Sequence, residues 1–104
     1  MDRYRIVFGQ NAKDDIIGII NYITYTLRAV DASNNLIKGL YKSISHLSYF
    51  PYKFPIVKNS SFTNMVVRCM PYKNYLVFYE IIENEKTIGI LRIVYKQRNW
   101  KNLI

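Results

Sequence analysis

Near the N-terminus Tyr4, Ile6 and Phe8 alternate with Arg3, Arg5 and Val7, the period-two pattern of a half-buried strand, which Gly9 ends. The spacing then changes. Ile16, Ile19, Ile20, Ile23 and Leu27 recur at three and four, an apolar stripe that predicts a helix from about Ala12 to Ala29. Asn11 is its expected N-cap, and Asp14 and Asp15 are expected to complement the positive end of the helix dipole. A second stripe, Leu36, Leu40, Ile44 and Leu47 with Ile37 and Tyr41 beside it, predicts a helix capped by Asp31 or Ser33 that stops before Pro51. So short a link around Asp31 folds the two helices back as an antiparallel hairpin.

The run Tyr49–Phe50–Pro51–Tyr52–Lys53–Phe54–Pro55 cannot continue a helix, because proline lacks the backbone donor and pushes its predecessor toward extended geometry. It reads as a connection leading into a short strand, followed by a loop at Asn59–Ser60–Ser61. Beyond it, Met65 to Met70, Tyr75 to Ile82 and Thr87 to Tyr95 are rich in Val, Ile, Phe and Tyr, and predict three strands. The links Pro71–Tyr72–Lys73–Asn74 and Glu83–Asn84–Glu85–Lys86 are of hairpin length. The expected fold is α+β, in the order β-α-α-β-β-β, with an antiparallel sheet covered on one face by the N-terminal helical hairpin. Alternation puts Tyr75, Val77, Tyr79 and Ile81 on one face, and Leu76, Phe78, Glu80 and Ile82 on the other. One hairpin covers one face, so the second is expected to be an open, partly apolar floor carrying Arg68 and Arg92. Lys96 to Ile104 reads as a basic tail anchored by Trp100, Leu103 and Ile104.

Composition narrows the class. The chain has 104 residues, half of them hydrophobic, which suits one folded domain over 1–104. Ile16 to Ile20 is far too short an apolar run to span a bilayer, and the expected location is the cytoplasm, away from any membrane. Cys69 and His46 are the only residues of their types, which argues against an internal disulfide and a Cys/His zinc site; no metal or cofactor is expected. Cys69 reads as a small core residue, and His46 as a structural or solvated group on the second helix.

The formal charge of +8 is unevenly spread. No Asp or Glu occurs between Ala32 and Tyr79, nor from Lys86 onward, and these stretches interleave many Lys and Arg residues with tyrosines. Up to Asp31, by contrast, Arg3, Arg5, Lys13 and Arg28 are balanced by Asp2, Asp14, Asp15 and Asp31. Such an excess attracts phosphate polyanions, and equally an acidic protein partner or an anionic membrane.

The order of these pieces resembles the RelE/ParE superfamily, the toxins of bacterial type II toxin–antitoxin modules. The resemblance rests on the opening strand Tyr4 to Phe8, Ala12 opening the first helix, Leu47 with Pro51 closing the second, and Arg68 before a turn. It continues through Asn74–Tyr75–Leu76–Val77–Phe78–Tyr79, Ile90–Leu91–Arg92–Ile93–Val94–Tyr95 and Arg98–Asn99–Trp100. It implies a cognate antitoxin as partner and one of two attacks, ribosome-dependent cleavage of messenger RNA or poisoning of DNA gyrase.

Cleavage without a metal needs a base, an acid and cations for a crowded phosphorane. By the resemblance, Arg68, Tyr95 and Arg98 are the candidate catalytic residues, with Lys73, Arg92 and Lys96 binding substrate. Arg92 reads equally as a support for the sheet, and Glu80 as the cross-strand ion-pair partner of Arg92 or of a nearby lysine, with a role as base the lesser alternative. Tyr75 and Tyr79 read as core. Leu76 and Gln97 stand where RelE-like nucleases often carry basic residues, which favours the gyrase alternative. Messenger RNA cleavage is the leading expectation, with gyrase poisoning and an inactive antitoxin-binding member as alternatives.

Overall fold

The computed structural model describes residues 3–58, 65–100 and 103. The predicted loop at Asn59–Ser60–Ser61 and the anchor at Ile104 lie outside them. Strand β1 (Arg5–Phe8) leads through Gly9, which occupies the N-cap, into α1 (Gln10–Asn21). The expected cap, Asn11, is already inside the helix. Asp14 accepts a hydrogen bond from Gln10, and Asp15 is turned toward the sheet, so neither carboxylate serves the helix terminus.

The first helix does not run regularly to Ala29. A π-helical turn takes over at Tyr22–Thr26, Arg28 adopts a left-handed φ of 53°, and α2 begins at Val30. Ile23, Tyr25 and Thr26 are β-branched or aromatic, types whose restricted χ1 lowers the preference for a regular α-helix. Ala29 takes the N-cap position of α2 (Val30–His46), with Asp31 in the first turn and Ser33 buried. The helix ends before Pro51, as the proline requires.

Strands β2 (Arg68–Tyr72), β3 (Tyr75–Ile82) and β4 (Thr87–Tyr95) form the predicted antiparallel meander. The sheet order is β1-β4-β3-β2, and β1 runs parallel to β4, which makes the sheet mixed. A parallel neighbour needs a long crossover, and the helical hairpin supplies it. The expected strand at Met65–Met70 is displaced toward the turn, so that Pro71 lies in the strand and Tyr72 pairs with Tyr75 across Lys73–Asn74. Ahead of β2, Ile56 forms an isolated antiparallel bridge with Arg68, the remnant of the short strand expected there.

Both faces of the sheet are covered. Val77, Tyr79, Ile88, Ile90 and Ile93 pack against Ala12, Ile16, Leu40, Ile44 and Leu47 of the hairpin. On the opposite face Val67, Phe78 and Val94 are buried beneath Val57, Met65, Leu91, Trp100 and Leu103. Trp100 lies against Phe78 with ring centroids 5.2 Å apart, so the tail closes the floor that the hairpin pattern left exposed. Gly39 lets α2 approach the sheet: Tyr72 crosses directly over it and donates to the Leu36 carbonyl at 3.1 Å, and a Cβ there would collide with the phenol.

Candidate binding groove

A bulge shapes the middle of β4. Phe78 faces Arg92 while Tyr79 faces Ile90, so Leu91 is inserted and strict alternation fails. Ile90 and Ile93, three residues apart, therefore both enter the hairpin-side core. Arg92 reaches α1: its Nε and Nη2 donate to the two oxygens of Asp15 at 2.8 and 2.9 Å, and the Ile93 N–H donates to the same carboxylate at 2.9 Å. The side chains are 16% and 11% exposed, which makes this a sheltered bidentate pair. Asp15 holds the Arg92 guanidinium further into its charged form. The expected Glu80–Arg92 pair does not form, because the bulge redirects Arg92; Glu80 lies over Gly89 instead.

Next to this pair, the hairpin and the end of the sheet enclose an open groove of about 1000 Å³. Tyr22 from the π turn, Leu36 from α2, and Tyr75 and Tyr95 from the paired ends of β3 and β4 supply its apolar surface. Tyr75 and Tyr95 meet edge to face, with centroids 5.8 Å apart. Burial raises the Tyr75 phenol above its ordinary value, with Tyr95 and Tyr22 adding to the shift. Lys73, held at a left-handed φ of 51° in the β2–β3 turn, and Arg98, just past β4, provide the positive charge. Asp14 and the ion-paired Asp15 lie on the α1 side.

Of the six residues singled out in the sequence, Lys73, Tyr95 and Arg98 thus line one groove, and Arg92 stands behind it, bound to Asp15. Lys96 is exposed beside Cys69, whose thiol burial pushes up to about 11 while the lysine opposes the shift. Burial thus favours the protonated thiol, the less nucleophilic form.

Arg68 stands apart. It opposes Tyr79, whereas Tyr95 opposes Tyr75, so the two positions differ by about 14 Å along β3 at roughly 3.4 Å per residue. Its Nη1 donates to the Phe54 carbonyl at 2.7 Å, and its guanidinium lies 5.0 Å from the centre of the Tyr52 ring. Arg68 therefore does not line the groove with Tyr95 and Arg98, the two residues grouped with it by the resemblance, because it precedes the turn by most of a strand. At the same end Tyr79, fully buried as expected, donates to the Pro51 carbonyl at 2.8 Å, and burial pushes its phenol up to about 12.

This end also holds a network that sequence reading missed. Glu83 accepts from Tyr4 at 2.8 Å, Tyr52 at 2.6 Å and Lys86 at 2.6 Å. The Lys86 bond first, then those of Tyr52 and Tyr4, hold its carboxyl down at about 2. Tyr4, Tyr52 and Glu83 are far apart in the chain, and only the charged turn at Glu83–Lys86 hinted at the pairing. His46 is exposed on α2 near Phe50 and Lys53, away from the groove. Among the described residues, no cluster of His, Cys, Asp and Glu is arranged to hold a metal ion, and no helix is long and apolar enough to cross a membrane.

A helical hairpin inserted between β1 and a three-strand meander is a fold shared with RelE and ParE proteins of solved structure. A chain of the chromosomal ParDE toxin–antitoxin system from P. aeruginosa superposes with a TM-score of 0.71 at 15% identity, over 89% of this chain and 96% of that one. A chain of the archaeal RelE–RelB complex from Pyrococcus horikoshii gives 0.63 at 16% identity, over 92% and 98%. A free variant of E. coli RelE gives 0.60 at 10% identity, over 97% and 92%. No functionally curated protein matches the sequence. The profile of the ParE toxin of type II toxin–antitoxin systems, parDE, matches residues 6–100, and the chain belongs to this family.

Proposed function

We propose that this toxin is neutralised by a cognate antitoxin and acts by binding DNA gyrase rather than by cutting messenger RNA. The observation that carries the choice is the dispersal of the cleavage set. Arg68 is engaged by Phe54 and Tyr52, and Arg92 by Asp15. The groove retains two cations, tyrosines and no imidazole among the described residues, and the raised Tyr75 phenol is a poor base at neutral pH. In-line cleavage requires a base, an acid and phosphate cations together. A binding poison requires only a shaped surface, which the aromatic groove with its two cations provides.

Purified gyrase incubated with the full chain and supercoiled plasmid is expected to accumulate protein-linked broken DNA, and cells expressing the chain are expected to show DNA-damage signalling before translation falls. Immediate translational arrest with cut transcripts, and no broken plasmid, would overturn the assignment. The convergence of Lys73, Tyr95 and Arg98 favours a second reading, ribosome-dependent cleavage with those three residues on the scissile phosphate. The same experiment separates the two.

A further inference from the structure

A second basic concavity lies away from the groove. Where β1 meets the end of α2, a cleft of about 470 Å³ is lined by Arg3, Arg5, Ser45, Ser48 and Tyr49, with Tyr4 and Ile6 on the strand side. No described carboxylate lines it. Tyr4 connects it to Glu83, but that charge is matched by Lys86 at 2.6 Å. Asp14 and Asp15, which balance the arginines in a count along the sequence, are held on α1 by Gln10 and Arg92.

The floor of the cleft is fixed, since the Tyr4 N–H donates to the Ser48 carbonyl at 2.9 Å. A helix C-terminus ordinarily repels anions through its free carbonyls. Here those of Ile44, Ser45 and His46 accept the N–H groups of Leu47, Ser48, Tyr49 and Phe50, so few acceptors remain to face the cleft. Among the described residues, Arg3 donates only a long 3.5 Å hydrogen bond, to the Tyr49 hydroxyl. One and two turns back along α2, exposed Lys42 and Lys38 extend the positive field away from the cleft.

We propose that this cleft binds a phosphodiester of a nucleic-acid backbone, with Arg3 and Arg5 as guanidinium forks and the Ser48 and Tyr49 hydroxyls as further donors. Guanidinium forks match phosphate geometry, and hydroxyl contacts to phosphate position a protein on nucleic acid without reading its sequence. The lysine stripe on α2 suits the next phosphates along a strand, which a free phosphate ion would leave unused. The site is separate from the groove and independent of the gyrase reading.

The test is anisotropy binding of the full chain to labelled duplex DNA and duplex RNA of one sequence, from about 50 to 200 mM salt. Each phosphate contact contributes roughly 0.9 to the slope of log affinity against log salt on B-DNA. The R3Q/R5Q variant is expected to lower the DNA slope by about one to two units. K73Q/R98Q is expected to leave the R3Q/R5Q decrement intact when the pairs are combined. Tighter binding of DNA or of RNA names the source of the backbone, and either supports the site. An unchanged slope in R3Q/R5Q, or wild-type chain that binds neither duplex, overturns it. R5K guards against misfolding: it keeps the charge and is expected to keep the slope, while an R5Q slope equal to that of wild type would also overturn the proposal.

Discussion

The two ends of β3 carry similar residues and put them to different uses. At one end Tyr4, Tyr52, Tyr79, Arg68, Glu83 and Lys86 satisfy one another or nearby carbonyls, with bonds of 2.6 to 2.8 Å. At the other, Tyr22, Tyr75, Tyr95, Lys73 and Arg98 surround an open groove, and among the described residues no side-chain hydrogen bond or ion pair holds either cation. Tyrosine with arginine is therefore not a functional signature in this chain; the state of its hydrogen bonds distinguishes a clamp from a site. The clamp pins the connection after α2 and the start of β1 to the β3–β4 turn. The groove leaves charge and aromatic surface for a partner.

Removing what joins the groove to the core should have the largest effect. Asp15→Ala strands the sheltered Arg92 guanidinium and the Ile93 N–H, and is expected to cost about 3 kcal/mol or more in urea unfolding. Next comes the clamp: Tyr79→Phe leaves the Pro51 carbonyl without its donor, at a cost of about 1–2 kcal/mol. Arg68→Ala is expected to lose about 1 kcal/mol with the Phe54 bond, and to leave toxicity per folded molecule unchanged.

A smaller effect should appear on acidification. Glu83 has its folded-state pKa lowered to about 2 from an ordinary 4.5, so its contribution is complete above 4.5 and is lost as pH falls through that window toward 2. Glu83→Gln is expected to flatten this part of the profile in pH-dependent thermal melts, while Glu80→Gln leaves it in place. The smallest change in stability, within about 0.5 kcal/mol, is expected for K73Q/R98Q at the exposed groove. That variant should nevertheless restore growth of cells expressing the chain. Unchanged toxicity with normal folding would show that the groove is not where the target binds, and would erase the functional half of the contrast between the two ends.

Much of this was legible in the chain. The bounds of β3 and β4, the turn beyond β3 and the end of α2 before Pro51 all follow from local pattern, because alternation and proline geometry act within a few residues. The groove was half legible: Lys73, Tyr95 and Arg98 were identified, whereas Tyr22 was not, since a π turn inside an otherwise regular apolar stripe leaves little trace in spacing. The burial of the second face was missed because Trp100 and Leu103 cover it from beyond the last strand.

Local periodicity, proline and turn chemistry thus set the order β-α-α-β-β-β, composition set the basic excess, and the family resemblance supplied the candidate cations. The parallel seating of β1 beside β4, the capture of Arg92 by Asp15 and the separation of Arg68 from Arg98 were decided in three dimensions. Each depends on groups distant along the chain meeting at hydrogen-bonding range, and a single inserted residue, Leu91, changes which of them meet. A sequence specifies which side chains are present. Their availability to a partner depends on which of them the fold has already satisfied.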